Sequence, residues 1–193
     1  MKICVYGASS TAIDKIYIEK VEKLGFLMAE RGHSLVFGGG ANGLMGAVAR
    51  GVRSKGGYIL GVIPKFFEKI DAELEYHRCD VLIRPDTMRE RKQIMEDNSD
   101  AFIMVPGGIG TYEEFFEILT LKQLRQLDKP LVVYNIDGYY DEMLKMMDVA
   151  IEKKFIRENV KTLYKVLTDY DEIFEYMESY KGTNLSVKDL KLG

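Results

Sequence analysis

The sequence predicts an α/β fold, a mostly parallel sheet with helices on both faces. Three observations carry this prediction. Short apolar runs alternate with segments of helical period along nearly the whole chain, the pattern of strand–helix–strand units. Loops rich in glycine and other small residues follow three of those runs, at Gly7–Ser10, Gly38–Gly46 and Pro106–Thr111. One run, Ala101–Val105, is apolar at every position, as befits a central strand buried on both faces. No linker, repeat or low-complexity segment interrupts the 193 residues. Residues 1–193 are therefore read as a single domain, with a polar tail from about 181 that frays or lies on a surface.

Each element has its own justification. Residues 2–6 are an apolar run stopped by Gly7, a first strand. Ile13–Arg31 carries Ile16, Val21, Leu24, Leu27 and Met28 at helical spacing, and Gly32 supplies the stop. Ser34–Phe37 is a second strand running into Gly38-Gly39-Gly40. Gly43–Lys55 reads as a helix of small residues closed by Gly56-Gly57, and Tyr58–Ile63 as a third strand ended by Pro64. Residues 65–79 mix Phe66 and Phe67 with many charges and read as a mobile or short-helical insertion. Asp80–Arg84 is a fourth strand. Thr87–Asn98 is a helix capped by Asp86 or Thr87. After the central strand, Thr111–Leu127 is a long helix, Leu131–Tyr134 a strand and Tyr140–Lys154 a helix. A short strand near Val166 and a helix over Asp171–Tyr180 complete the pattern.

Composition narrows the chemistry. With 27 basic and 30 acidic residues, the net charge of -3 makes nucleic acid a poor partner. Only two His (His33, His77) and two Cys (Cys4, Cys79) occur, so no zinc-type ligand set can be drawn, and no metal is expected. Reduced thiols and a cytoplasmic location are the simple reading. The N-terminal run lacks the form of a signal peptide, and no stretch approaches the roughly 20 apolar residues that span a bilayer, so no membrane partner is expected. The chemistry then falls to carboxylates, Arg, Lys, hydroxyls and glycine-shaped backbone.

In doubly wound folds, ligands bind outside the carboxyl ends of the strands, where all three glycine loops should lie. Helix N-termini there offer free N–H groups and a positive dipole end, which suits phosphate. The loops match neither the dinucleotide fingerprint in its usual place nor a Walker A motif. Two helices carry charges where apolar residues belong. Met88, Arg91, Lys92 and Met95 share one helical face, and Glu114 shares another with Thr111, Phe115 and Ile118. Snorkelling explains such cations, and so does a helix that lines an anion pocket; helix capping or an answer to the dipole explains such acids. A carboxylate seated beside a phosphate loop suits a base or nucleophile, and this favours Glu114 over Glu113. His33 reads as structural, Cys4 as a small apolar residue, and Tyr139, Tyr140 and Met143, Met146 and Met147 as core or subunit interface.

With these residues in view, the sequence resembles the LONELY GUY family from about Lys2 to about Ile156. These are cytokinin-activating nucleoside 5'-monophosphate phosphoribohydrolases, whose relatives are often labelled possible lysine decarboxylases. The resemblance rests on Gly38-Gly39-Gly40 through Gly43-Leu44-Met45-Gly46, and on Met88 with Arg91-Lys92. It continues with Pro106-Gly107-Gly108-Ile109-Gly110-Thr111-Tyr112-Glu113-Glu114, then Asp128-Lys129-Pro130 and Asn135 through Tyr140. Tyr112 stands where Leu is commoner, and Arg89 where plant members have His. The resemblance implies a Rossmann-like three-layer fold, a homodimer with its site near the interface, and a nucleoside monophosphate substrate. It implies catalytic roles for Arg91 and Glu114. It implies binding roles for Ser9, Gly39, Gly43, Met45, Glu73, Met88, Lys92, Gly107, Gly108, Ile109, Gly110, Thr111, Tyr112, Glu113 and Thr120. The implied reaction is hydrolysis of the N-glycosidic bond of AMP or a cytokinin riboside 5'-monophosphate, without a cofactor. A non-catalytic nucleotide or molybdenum-cofactor carrier of the same fold is the alternative that the same loops allow. A lysine decarboxylase is not expected, because neither His is followed by Lys and no Schiff-base motif occurs.

Overall fold

The computed structural model describes residues 1–69 and 75–191, with the side chains of all of these except Glu68 and Lys69. Seven strands form one sheet: β1 (Lys2–Tyr6), β2 (Ser34–Phe37), β3 (Ile59–Val62), β4 (Val81–Ile83), β5 (Ala101–Met104), β6 (Leu131–Tyr134) and β7 (Lys165–Leu167). The helices are α1 (Lys15–Glu30), α2 (Gly43–Ser54), α3 (Met88–Asp97), α4 (Ile109–Gln123), α5 (Asp141–Glu152), α6 (Tyr170–Ser179) and a short α7 (Val187–Leu190). The strand order is β4-β3-β2-β1-β5-β6-β7, and every neighbouring pair is parallel. The chain first builds outward from β1 to β4, then crosses back and builds outward on the other side. The direction reverses between β1 and β5, and that switch point is where such sheets leave a crevice at their carboxyl edge.

Strand residues alternate between two cores. Ile3, Val5, Leu35, Phe37 and Ile103 face α1, α2 and α6, which contribute Leu24, Met28, Val48 and Phe174. Cys4, Tyr6, Val36, Phe102 and Met104 face α3, α4 and α5, which contribute Met95, Phe115, Ile118 and Met147. This is the three-layer arrangement expected of continuous apolar strands. The first layer is tight because α1 and α2 meet at glycine. A Cβ on Gly51 would sit 1.9 Å from the Glu22 carbonyl oxygen, so only glycine lets the helices approach this closely.

Element boundaries differ from the sequence reading by up to four residues, most of all at α4. Helix α4 begins at Ile109, two residues before the expected Thr111, with Gly108 as its N-cap. It ends at Gln123 rather than Leu127, where Arg125 turns into the left-handed region at φ 60°. The tail is laid down rather than frayed. Leu190 is fully buried, and its carbonyl accepts a hydrogen bond from Gln123 Nε2 at 2.9 Å. The segment after β3 starts as a 3-10 helix over Lys65–Lys69. It returns to the second glycine loop, where the Tyr76 N–H donates to Gly39 O at 2.8 Å.

Candidate active site

A cavity of about 480 Å³ opens at the switch point. The loop after β1 contributes Gly7 to Ser10, and the loop after β2 contributes Gly38, Gly40, Asn42 and Met45. Ile63 and Phe67 follow β3, Met88 and Arg91 come from α3, and Gly108–Thr111 with Glu113 and Glu114 come from the start of α4. All three glycine loops thus meet in one place.

The floor of the cavity is an ion pair. Arg91 Nη1 donates to Glu114 Oε1 at 2.8 Å, and the two residues are only 8% and 7% exposed. Helix α3 aims Arg91 through its N-terminus. Thr87 caps it: the Glu90 N–H donates to Thr87 Oγ1 at 3.2 Å, and the Thr87 N–H donates to Glu90 Oε2 at 3.1 Å. Arg91 then falls on the inward face, one turn before the buried Met95. Its Nε donates to the Val62 carbonyl at 3.2 Å. The guanidinium fills the space beside Gly38, where a Cβ would lie 2.0 Å from Nη2. Burial raises the pKa of the Glu114 carboxyl above the ordinary carboxylate value, against the pull of Arg91. Burial and pairing are both needed to explain a carboxylate kept at the bottom of a cavity.

The helix ends beside this pair are not equivalent. Gly108 O accepts the first intrahelical bond of α4, from the Tyr112 N–H at 3.1 Å. The N–H groups of Gly108, Ile109, Gly110 and Thr111 therefore have no intrahelical acceptor. Gly108 to Gly110 are exposed, and Thr111 folds its side chain over Gly107, where a Cβ would lie 2.1 Å from Thr111 Oγ1. Helix α2 is different. Its Leu44 and Met45 N–H groups both donate to Ala8 O, at 2.8 and 3.3 Å. That helix end holds the first glycine loop and leaves no such row of free amides. Helix α1 starts at Lys15, beyond the first loop altogether. Among the described residues, the N-termini of α2 and α4 both reach the cavity, and that of α4 presents the row of amides without intrahelical acceptors.

Of the residues singled out from sequence, Arg91, Glu114, Ser9, Met45, Met88, Gly108, Ile109, Gly110, Thr111 and Glu113 line the cavity. Gly39, Gly43, Gly107 and Tyr112 do not line it; the glycines shape the loops behind the lining, and Tyr112 lies in α4 with its ring edge-on to Tyr140. Lys92 turns aside. It pairs with Glu113 and with Glu117, the latter at 2.7 Å, and ties α3 to α4. Burial lowers the Lys92 ammonium pKa, but the two carboxylates outweigh it and hold that pKa above the usual value. Thr120 is exposed, and its hydroxyl donates to Phe116 O at 2.7 Å. It stands about 14 Å along α4 from Thr111, outside this cavity. Glu73 lies outside the described residues. His77 is exposed and away from the cavity. His33 sits elsewhere, its Nε2 2.8 Å from Glu178 Oε1. Burial pushes the Cys4 thiol up to about 12, so it packs as an inert apolar group. Sequence reading missed Asn42, Ile63 and Phe67. They carry no chemical signature, and only their place after the carboxyl ends of β2 and β3 marks them.

Comparison with known proteins identifies the family. A family model described as possible lysine decarboxylase matches residues 45–177. The cytokinin riboside 5'-monophosphate phosphoribohydrolase LOG5 of Arabidopsis thaliana is 35% identical over 183 residues, covering 95% of this chain and 79% of that protein. The probable cytokinin riboside 5'-monophosphate phosphoribohydrolase LOGL2 of Oryza sativa subsp. japonica is 37% identical over 179 residues, covering 93% of this chain and 72% of that protein. Among solved structures, the molybdenum cofactor carrier protein of Chlamydomonas reinhardtii has a TM-score of 0.70 at 20% identity. That match covers 93% of this chain and 96% of the other, a likeness of fold alone. The chain belongs to the LONELY GUY family of cytokinin riboside 5'-monophosphate phosphoribohydrolases, the family that also carries the possible lysine decarboxylase label.

Proposed function

We propose that the protein hydrolyses the N-glycosidic bond of nucleoside 5'-monophosphates, AMP or a cytokinin riboside 5'-monophosphate, to free base and ribose 5-phosphate. The observation that carries this reading is the buried Arg91–Glu114 pair beside the open N-terminus of α4. The 5'-phosphate sits on the N–H groups of Gly108 to Thr111, where the helix dipole adds about half a positive charge. That remote contact positions the ribose over Glu114. As the bond from the anomeric carbon to the base breaks, positive charge develops on the sugar, as in O-glycoside hydrolysis. Arg91 holds one oxygen of Glu114, and the other is available to the sugar or to water. Glu114 stabilises the cation and takes a proton from the attacking water; its raised pKa makes it the stronger base. Water supplies the new hydroxyl on the anomeric carbon, and the proton that Glu114 took from it passes through solvent to the departing base, which restores the carboxylate. Met45, Ile63, Phe67 and Met88 offer the base an apolar wall.

Lysine decarboxylation is not part of this reading. It calls for a Schiff-base lysine, and among the described residues no lysine lines the cavity. The protein acts in the cytoplasm as a homodimer, without nucleic acid. Dimerisation accounts for Thr120, since a binding threonine outside its own cavity requires a second copy to reach a ligand. No helix among the described residues is long and apolar enough to cross a membrane.

The test is a panel of AMP, GMP, CMP and isopentenyladenosine monophosphate, with products separated by chromatography. Free base from at least one is expected, and the ranking of rates separates nucleotide salvage from cytokinin activation. Tight binding of a pterin-type cofactor with no base from any nucleotide would replace this reading with the carrier.

A further inference from the structure

The connection from β6 to α5 contributes no residue to the cavity lining, yet it grips the loop before α4. Four consecutive carbonyl oxygens there are each held by a protein donor. Tyr140 Oη donates to Val105 O at 2.7 Å, and the Ala8 N–H to Pro106 O at 3.1 Å. Tyr139 Oη donates to Gly107 O at 2.8 Å, and the Tyr112 N–H to Gly108 O at 3.1 Å. The amides that follow are the ones without intrahelical acceptors.

A trans peptide is planar, so the direction of its carbonyl fixes the direction of its N–H. The carbonyl of Gly107 and the N–H of Gly108 belong to one peptide unit. Glycine on both sides leaves that unit free to rotate unless something holds it. A rotated unit would aim a carbonyl oxygen where an N–H is needed and would repel a phosphate. Tyr139 supplies the hold. Its own turn is built to deliver it. Asn135 Oδ1 accepts the Tyr140 N–H at 2.8 Å, and Asn135 Nδ2 donates to Asp141 Oδ1 at 2.8 Å. Asp137 takes the left-handed region at φ 53° to bring the two tyrosines round. The Tyr139 ring packs edge-on against Tyr140 and Tyr17, with centroids 4.9 and 6.1 Å away.

We propose that Tyr139 is a positioning residue for phosphate recognition: its hydroxyl locks the Gly107–Gly108 peptide so that the Gly108 N–H faces the 5'-phosphate. Tyr140 anchors the same loop one step earlier, at Val105. This rests on the reading of the α4 N-terminus as the phosphate site.

The experiment is calorimetric titration of wild type, Tyr139→Phe and Tyr17→Phe with ribose 5-phosphate and, separately, with adenosine. Tyr139→Phe keeps the ring and its packing and removes only the hydroxyl. It should weaken ribose 5-phosphate binding by roughly three- to tenfold, the effect of one hydrogen bond, and leave adenosine binding unchanged. Tyr17→Phe alters a neighbouring ring but no bond to the loop, and should change neither. Ribose 5-phosphate affinity within twofold of wild type in Tyr139→Phe would overturn the proposal. So would equal weakening of adenosine, or a matching loss in Tyr17→Phe, since each would mean general packing rather than the hydroxyl. A wild type with no affinity for ribose 5-phosphate would refute the lock as well. Binding that responds as expected in a protein that releases no base would contradict the proposed reaction and leave the lock standing.

Discussion

Glu114 and Arg91 stand out in sequence because each puts a charge on an otherwise apolar helical stripe, and the structure buries both and pairs them. Tyr139 does not stand out. Its partner Gly107 is 32 positions away, and no periodicity connects a tyrosine after one strand to a carbonyl after another. Asn42, Ile63 and Phe67 escape for a similar reason, since lining a cavity depends on strand order. Two predictions belong at this scale. Glu114→Gln keeps the shape and the Arg91 contact but removes the charge. Turnover should fall by roughly 10²- to 10³-fold with KM little changed, as steady-state kinetics on AMP will read. The pH profile follows from the raised Glu114 pKa. On the proposed mechanism the carboxylate is the active form, so kcat should fall as pH drops, and the acid limb should lie above the ordinary glutamate value. The limb should vanish in Glu114→Gln.

Strand positions are legible from sequence to within a residue or two because buried strands and their glycine stops leave a strong pattern. The start of α4 is less so. Gly108 and Gly110 read as loop by composition, yet they form the cap and first turn that leave the amides free. The fate of the α2 amides cannot be read locally at all, since Ala8 reaches them from another loop. At this scale Gly38→Ala should push the Arg91 guanidinium aside while leaving the fold intact. A displacement of that size predicts roughly 10²-fold lower kcat/KM with an unchanged circular dichroism spectrum. The α3–α4 contact makes a second prediction. Burial first, and then Glu117, raise the Glu96 carboxyl to about 7. A carboxyl whose folded pKa is raised contributes stability that is present below its unfolded value, near 4.5, and lost as pH rises through about 7. Glu96→Gln should therefore raise Tm by about 2 to 4 °C at pH 8, and the gain should disappear near pH 4. Equal shifts at both values would contradict this.

For the whole molecule, the alternation of strands and helices foretells a parallel sheet with two covered faces, and that much is legible. The strand order is not, because alternation leaves open the side of β1 on which β5 lands. That choice creates the switch point and brings three loops, far apart in sequence, around one cavity. The tail closes the other core rather than the site: its buried Leu190 packs with α4 and α5 residues, and Arg157 Nε donates to Lys191 O at 2.9 Å. Ending the chain at residue 183 should lower Tm by several degrees through loss of that burial, with KM for AMP unchanged. In the proposed reaction a backbone-held phosphate lets Glu114 and Arg91 cleave the bond between base and sugar. The most direct measurement is the reaction of AMP, or its prenylated analogue, in ¹⁸O-labelled water, followed by NMR and mass spectrometry. Free base and ribose 5-phosphate are expected in equal amounts, with the label on the anomeric carbon and the rate lowered roughly 10²- to 10³-fold in Glu114→Gln. No base from any nucleoside monophosphate, or label appearing in released inorganic phosphate instead, would contradict it.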